Sequence, residues 1–176
     1  RAEFYVRLMR VYDIRLAANR ELPMVSPLAA HLARLLRTFG VEAGSKPELL
    51  AVVALTDNDT PIICNGFKDA EFIEMAMLAQ KIGRTIIPVV EKYTELALIL
   101  EYAEKVGVRP NIGMRVKLAS RGGGRWQSSG GYRSKFGLTV TEILRGLEEL
   151  KARGMEDCFK LLHFHLGSQI TNIRIV

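Results

Sequence analysis

The feature that most constrains the fold is a regular alternation of short apolar segments with longer amphipathic segments, which starts near Val41. Apolar runs bounded by turn residues predict strands, and apolar residues at helical spacing predict helices. The strands are predicted at 41–44, 61–65, 85–90, 111–118 and 157–166. The helices are predicted at 46–55, 69–82, 94–106 and 138–153. A strand and helix repeat of this kind builds a parallel sheet through right-handed crossovers.

The predicted fold class is therefore α/β, and the repeat suits part of a (β/α)8 TIM barrel. A complete barrel takes about 250 residues, so a chain of 176 residues is too short to close one alone. A doubly wound parallel sheet is the alternative architecture. The signals at helix ends agree with the repeat, because Ser45, Pro47 and Glu48 have the pattern of a capping box.

Residues 1–40 do not continue this repeat. They contain seven arginines and no lysine, Pro23 and Pro27 interrupt them, and only 28–39 shows a clean helical period. The chain is therefore predicted to consist of an atypical N-terminal segment at 1–40 and a partial barrel domain at 41–176.

The net charge of +6 comes from one region of the chain. Residues 115–135 carry six basic side chains and no acidic one, whereas the remaining basic and acidic residues balance. This pattern favours a local anion site or an oligomer contact. A polyanion-binding module that stacks bases on Trp126 and Tyr132 is a competing interpretation, although nucleic acid is not the predicted partner.

Other features exclude whole classes of protein. No apolar run approaches the roughly 20 residues of a membrane span, and the first residues lack a secretory signal, so a cytoplasmic location is the default prediction. Cys64 and Cys158 each sit in an apolar run without metal-ligand spacing, and both are predicted to be buried thiols.

Polar residues follow the predicted strands at the ends where parallel α/β folds gather their working groups. They are Glu42, Asn65, Glu91, Arg115, and His165 with Ser168. Carboxylates, an amide, a guanidinium and an imidazole on one face suit a polar, partly anionic ring compound. Each residue also has a purely structural interpretation; Arg115, for example, could only bridge neighbouring strands.

Two histidines lie one residue apart in the last predicted strand. Alternation along a strand could place His163 and His165 on the same face, or a bulge near Gly167 could re-aim one of them. His165 is predicted to face the site, and His163 is predicted to be a structural neighbour. A two-histidine metal site would need a third ligand, for which Glu42 and Glu91 are the candidates, and no metal site is predicted.

Six blocks of sequence carry a resemblance to a known family. They read VEAGSKPELL at 41–50, CNGFKDAEF at 64–72, GVRP at 107–110, WQSSGG at 126–131, SKFGL at 134–138 and LLHFHLGSQI at 161–170. Together they resemble the biosynthetic arginine decarboxylases, which belong to the alanine-racemase-like, fold-type III group of pyridoxal-phosphate enzymes. The resemblance covers about residues 40–174.

This resemblance implies a pyridoxal 5'-phosphate enzyme that converts L-arginine to agmatine and carbon dioxide in polyamine biosynthesis. It also allows for magnesium, and it implies a homo-oligomeric parent protein. His165 would stack on the pyridine ring, Ser168 would contact the cofactor near its phosphate, and Arg115 would approach the phenolic oxygen. Glu42 would lie close to the linkage between the cofactor and an amine.

Three further residues match the family blocks and receive supporting roles only: Glu48, Asn65 and Lys68. The chain departs from the family at the lysine that anchors the cofactor, since no lysine precedes Lys46. Arginine cannot replace that lysine, because its guanidinium stays protonated. No catalytic residue is therefore assigned, and the chain is predicted to be an inactive, truncated or frame-shifted piece of a decarboxylase. A non-catalytic relative that binds a phosphate compound or a partner subunit is the alternative.

Overall fold

The computed structural model describes residues 40–118 and 135–165. The strands are β1 Val41–Ala43, β2 Ile62–Cys64, β3 Ile86–Val90, β4 Ile112–Arg115 and β5 Phe159–His163. The helices are α1 Lys46–Leu55, α2 Ala70–Lys81, α3 Tyr93–Val106 and α4 Val140–Ala152. A 3-10 turn, Glu156–Cys158, precedes β5.

The five strands form one parallel sheet in the order β1-β2-β3-β4-β5. Strands in a barrel follow the chain in this way, whereas a doubly wound sheet reverses its order at a switch point. Within the described ranges the order never reverses, so the sheet has the arrangement predicted for part of a barrel.

The hydrophobic core lies between the sheet and the helices. Ile62, Cys64, Ile86, Val90 and Met114 contribute strand residues to one buried cluster. Residues from the helices complete it, among them Leu49, Phe72, Ile73, Ile99 and Leu150. Cys64 and Cys158 are free and buried, as predicted. Burial raises the pKa of the Cys64 thiol to about 12.

The predicted capping box at the start of α1 is wrong. The Ser45 side chain makes no capping bond, and the Glu48 carboxylate accepts instead from the Gly44 amide at 2.8 Å. A glutamate one turn into the helix reaches this amide directly, which satisfies a donor just ahead of the helix. The capping box forms at α4, where Thr139 and Glu142 bond each other's backbone amides.

The fourth and fifth strands are shorter than the sequence pattern predicts. Beyond Arg115, Val116 forms an isolated bridge with Leu138, so the chain also pairs there with the segment before α4. At the start of β5, the Cys158 amide bonds the Met155 carbonyl at 3.0 Å and closes the 3-10 turn. None of the helices within the described ranges combines the length and the apolar character needed to cross a bilayer.

Candidate active site

A cleft of about 320 Å³ opens at the carboxyl ends of the strands. Each of the five strands contributes to it. The second to fifth strands end in or are followed by a polar lining residue, whereas β1 contributes Glu42 from its middle and Gly44 from just beyond its end. The lining consists of Glu42, Gly44, Asn65, Gly66, Glu91, Arg115, Phe136, His163 and His165. Five of the polar residues at the predicted strand ends therefore meet at one place, as parallel strands require.

An ion pair joins the ends of β3 and β4 at the cleft wall. The Arg115 Nη1 donates to Glu91 Oε1 at 2.9 Å, and the Glu91 side chain is only 1% exposed. The same oxygen accepts from the Gly66 amide at 3.2 Å. Glu91 thus holds both the guanidinium of Arg115 and the turn after β2.

A second ion pair, between Lys68 and Glu95, lies behind this wall and is fully buried. The Lys68 Nζ is 3.2 Å from Glu95 Oε2 and donates to the Gly66 carbonyl at 2.6 Å. Glu95 also accepts from the Lys68 amide at 3.2 Å and from the Glu91 amide at 2.8 Å. Lys68 is not among the residues that line the cleft. Through its bonds to the Gly66 carbonyl and to Glu95 it supports the turns that carry Gly66 and Glu91.

Sequence reasoning assigned Lys68 a supporting role but missed Glu95. The sequence feature that could have identified Glu95 is its position as the third residue of α3, where a carboxylate can accept from the backbone amides ahead of the helix. Glu95 accepts there from the Lys92 amide at 3.4 Å as well as from Glu91. A carboxylate at this position fixes the end of β3 to the start of α3.

Gly66 lies where the turns after β1 and β2 approach each other. Its φ is +81°, and a Cβ built there would be 3.1 Å from the Gly44 carbonyl oxygen. Only glycine adopts this backbone conformation readily and leaves room for the neighbouring carbonyl. The cleft floor near Asn65 therefore depends on a residue without a side chain.

Gly66→Ala is expected to lower the free energy of unfolding by more than the roughly 1–2 kcal/mol of a left-handed residue with a Cβ. The excess comes from the close approach to Gly44. Gly154→Ala is the matched control, since Gly154 has a φ of +63° and open space around a Cβ. Urea unfolding of both variants measures the difference, and equal losses would contradict the close-contact argument.

The two histidines at the end of β5 both line the cleft, as alternation along a strand allows. His163 is paired in register with Arg115 across the strands, and its carbonyl accepts from the Val116 amide at 2.8 Å. His165 is exposed at the cleft. Burial, and then the positive charge of Arg115, lower the pKa of His163 below its ordinary value.

This shift predicts an acid-sensitive contribution of His163 to stability. The unfolded chain binds a proton near the ordinary pKa of 6.5, whereas the folded protein binds it only at lower pH. We therefore expect stability to fall as the pH drops below about 6.5. Imidazole NMR of the folded chain should give a His163 midpoint below 6.5, and His163→Gln should flatten the stability profile in this range. A midpoint above 6.5 would contradict the sign.

Three buried polar atoms in the lining have no hydrogen-bond partner among residues 40–118 and 135–165. They are Asn65 Oδ1, Glu91 Oε2 and His163 Nδ1. Since buried polar groups are nearly always bonded, such atoms in one cleft indicate a place where a ligand or water completes the bonding.

The structure leaves part of the predicted site undescribed. Ser168 and most of the basic segment at 115–135 lie outside the described residues, so the contact of Ser168 stays a prediction. Within the described part of the chain, no three His, Cys, Asp or Glu side chains group as metal ligands. The magnesium that the family resemblance allows for also stays a prediction.

The geometry of the described residues is that of part of a (β/α) barrel with a polar ligand site at the carboxyl ends of its strands. The family model for the pyridoxal-binding domain of pyridoxal-dependent decarboxylases matches residues 24–176. The chain belongs to this family. The match begins inside the segment 1–40, so it extends further toward the amino terminus than the six sequence blocks.

Relatives in the family carry a common name. The biosynthetic arginine decarboxylase of Rhodopirellula baltica is 59% identical over 172 residues, which cover 98% of this chain and 25% of that protein. The enzyme of the same name from Phocaeicola vulgatus is 53% identical over 165 residues, which cover 93% of this chain and 26% of that protein. The chain thus spans about a quarter of the length of these curated relatives.

Solved structures agree with the barrel assignment. The crystal structure of the biosynthetic arginine decarboxylase from Campylobacter jejuni matches with a TM-score of 0.68 and 30% identity, over 98% of this chain and 30% of that one. A diaminopimelate decarboxylase from Helicobacter pylori, complexed with L-lysine, matches with a TM-score of 0.66 and 25% identity, over 82% of this chain and 35% of that one. The predicted fold class is confirmed.

The residues present fit the ring end of pyridoxal phosphate. The cleft is within the roughly 300–1,000 Å³ of small-molecule sites. Arg115 has a side chain that is 16% exposed, and its guanidinium suits an anionic phenolic oxygen while Nη1 bonds Glu91. His165 adds an exposed imidazole that can stack on an aromatic ring. The cofactor and the described side chains therefore agree in size and chemistry.

Proposed function

We propose that this chain is the cofactor-binding part of a pyridoxal-phosphate arginine decarboxylase, which in its longer form converts L-arginine to agmatine and carbon dioxide. The observation that carries the proposal is the cleft at which all five strands place polar residues. The identity of 59% to a protein named biosynthetic arginine decarboxylase supports arginine as the substrate. The cytoplasmic location and the homo-oligomeric parent stay predictions.

Four residues of the chain would hold the cofactor. When bound, pyridoxal phosphate supplies an electron sink for the bond that releases carbon dioxide. Arg115, oriented by Glu91, would bind the phenolic oxygen, and His165 would stack on the ring. Ser168 would bind near the phosphate. Glu42 on β1 would lie close to the point at which the cofactor is linked to an amine.

His163 would serve this site as a neutral imidazole. Its lowered pKa keeps it uncharged at neutral pH, so it adds no second positive charge beside Arg115. Glu42 and the outer oxygen of Glu91, which both belong to the lining of the cleft, would remain available to cationic groups. The protein's contribution is therefore the orientation of the ring and of the amine.

Among the described residues that line the cleft there is no lysine that could anchor the cofactor. Lys46 bonds Asp69 at 2.9 Å and also Glu71, and these carboxylates, Glu71 foremost, raise the pKa of its ammonium. A raised pKa makes the neutral, nucleophilic amine rarer. Lys68 is committed to its buried pair with Glu95. The proposal therefore includes non-covalent binding of pyridoxal phosphate and no decarboxylation by this chain.

The test uses the whole 176-residue chain with added pyridoxal phosphate and L-arginine. Equilibrium dialysis should detect saturable binding of the cofactor, while agmatine release stays at the level of a protein-free sample. Borohydride reduction followed by peptide mass spectrometry should yield no stoichiometric cofactor adduct on a single lysine. Agmatine release above background, or such an adduct, would overturn the proposed inactivity. Failure to bind the cofactor would overturn the assignment of the cleft.

A subunit-binding relative without catalysis is the second candidate function. The observation in its favour is an apolar pair on β5 and just beyond it, Leu162 and Phe164, which are 55% and 52% exposed. Sedimentation together with the dialysis experiment distinguishes the two, because a non-catalytic binding subunit would associate but show no affinity for pyridoxal phosphate.

A further inference from the structure

Two buried hydrogen-bond acceptors in the cleft have no partner among the described residues, and they indicate which chemical group of a ligand would bind beside the cofactor ring. Asn65 is 8% exposed and Glu91 is 1% exposed, so both side chains are more than nine-tenths buried. Their outer oxygens, Asn65 Oδ1 and Glu91 Oε2, receive no hydrogen bond from any residue within 40–118 or 135–165. Both residues line the cleft. Each oxygen can only accept, so the complementary group must be a donor.

Neighbouring contacts hold the Glu91 carboxylate against the turn that follows Asn65. The Gly66 amide, directly after Asn65, donates to Glu91 Oε1 at 3.2 Å. The same Glu91 oxygen accepts from Arg115 Nη1 at 2.9 Å. The carboxylate is thereby oriented with Oε1 toward the protein, and Oε2 is the oxygen left for a ligand.

The charges around the cleft favour a cation at this point. Its described lining contains two carboxylates, Glu42 and Glu91, against the single guanidinium of Arg115, which Glu91 already pairs. A phosphate or carboxylate beside Glu91 Oε2 would face a buried like charge. A protonated nitrogen would satisfy both oxygens through charge-assisted hydrogen bonds.

We infer that Glu91 Oε2 and Asn65 Oδ1 form a subsite for a protonated amino group of the ligand bound in the cleft. The inference rests on the proposed function in that the ligand is a pyridoxyl phosphate compound or the amine product. Glu91 then has two roles: Oε1 orients Arg115, and Oε2 accepts a hydrogen bond from the protonated amino group of the ligand. The cofactor contacts assigned to Arg115 and His165 do not require this subsite.

Comparing the affinities of two related ring compounds tests the subsite separately from the rest of the cleft. Pyridoxamine 5'-phosphate and pyridoxine 5'-phosphate share ring and phosphate, and they differ in a protonated aminomethyl against a neutral hydroxymethyl group. The chain is expected to bind the amine about tenfold more tightly at neutral pH, the usual scale of a hydrogen bond to a charged group. Isothermal titration gives both dissociation constants.

Glu91→Gln is the deciding variant. Its amide oxygen can keep accepting from Gly66 and Arg115, while its NH2 group places donors where Oε2 stood. The preference for pyridoxamine 5'-phosphate should disappear. Asn65→Asp, which adds a negative charge, should increase the preference. Glu101→Gln, on the exposed side of α3, is the control and should change neither affinity.

The outcomes separate this inference from the proposed function. Equal affinity of the wild-type chain for the two compounds, or a preference that survives in Glu91→Gln, overturns the subsite and leaves the cofactor assignment standing. If neither compound binds, the proposed function fails, and agmatine alone becomes the probe. Agmatine binding that is lost in Glu91→Gln and strengthened in Asn65→Asp then supports the subsite. If the wild-type chain does not bind agmatine, the subsite is overturned. Asn65→Asp keeps the test valid if Glu91→Gln does not fold.

Discussion

Glu95→Ala is expected to lower the free energy of unfolding by about 3–5 kcal/mol. The Lys68 side chain is 0% exposed, so without Glu95 its ammonium would remain buried and lose its counter-charge. The variant also removes the acceptor for the backbone amides of Lys68 and Glu91. Urea unfolding followed by circular dichroism measures the loss.

The control for this prediction is Glu101→Ala on the same helix. Glu101 is exposed, and its removal should change stability by no more than about 0.5 kcal/mol. The double variant Lys68→Met with Glu95→Leu should recover the part of the loss that comes from the unpaired charge, while the amides of Lys68 and Glu91 still lack their acceptor. If Glu95→Ala were as stable as Glu101→Ala, the buried pair would have no structural role.

Arg115→Met is expected to abolish measurable binding of pyridoxal phosphate and to lower the free energy of unfolding by about 3 kcal/mol. Glu91 would keep its charge in a buried position with only the Gly66 amide as a donor to Oε1. Losing the positive charge should also raise the pKa of His163, because Arg115 is one of the causes that lower it. Equilibrium dialysis, urea unfolding and imidazole NMR measure the three effects.

Arg153→Met is the matched control, because Arg153 is 52% exposed and bonds Glu149 only at the surface. A surface pair of this kind contributes roughly 0–1 kcal/mol, so cofactor affinity should not change and stability should change little. Arg115→Lys keeps the charge without the planar fork and should restore stability more than affinity. Wild-type cofactor affinity in Arg115→Met would remove Arg115 from the proposed site.

The sequence predicted the strand ends better than it predicted what those ends contact. Alternation of apolar segments gave the barrel order, and counting to the end of each strand identified Glu42, Asn65, Glu91 and Arg115 as neighbours. Parallel topology alone brings such residues together, so no knowledge of their partners was needed. The structural interpretation of Arg115 as a bridge between strands also holds, since it pairs with Glu91.

The buried network could not be found in the same way. Lys68 and Glu95 are charged residues beside turns, and sequence patterns place such residues at the surface. Their burial results from the packing of two turns that are distant in the chain. Similarly, the pattern allowed His163 and His165 to share one face, but only the register with Arg115 put His163 beside that charge. The interpretation of His163 as a structural neighbour and of His165 as a ring contact remains a prediction.

The consecutive strand order also bears on how this chain could assemble. Ile62 on β2 pairs with Val41 on β1 and with Ile86 on β3. Each strand therefore pairs with the strand that precedes it in the chain, one helix away. Closing loops of one such unit costs little entropy compared with pairing the ends of a long chain. Folding could therefore proceed from one end as the chain leaves the ribosome, with each new strand adding to an edge already formed. Because the cleft draws on the carboxyl end of every strand, ligand affinity would appear only after β5 has paired.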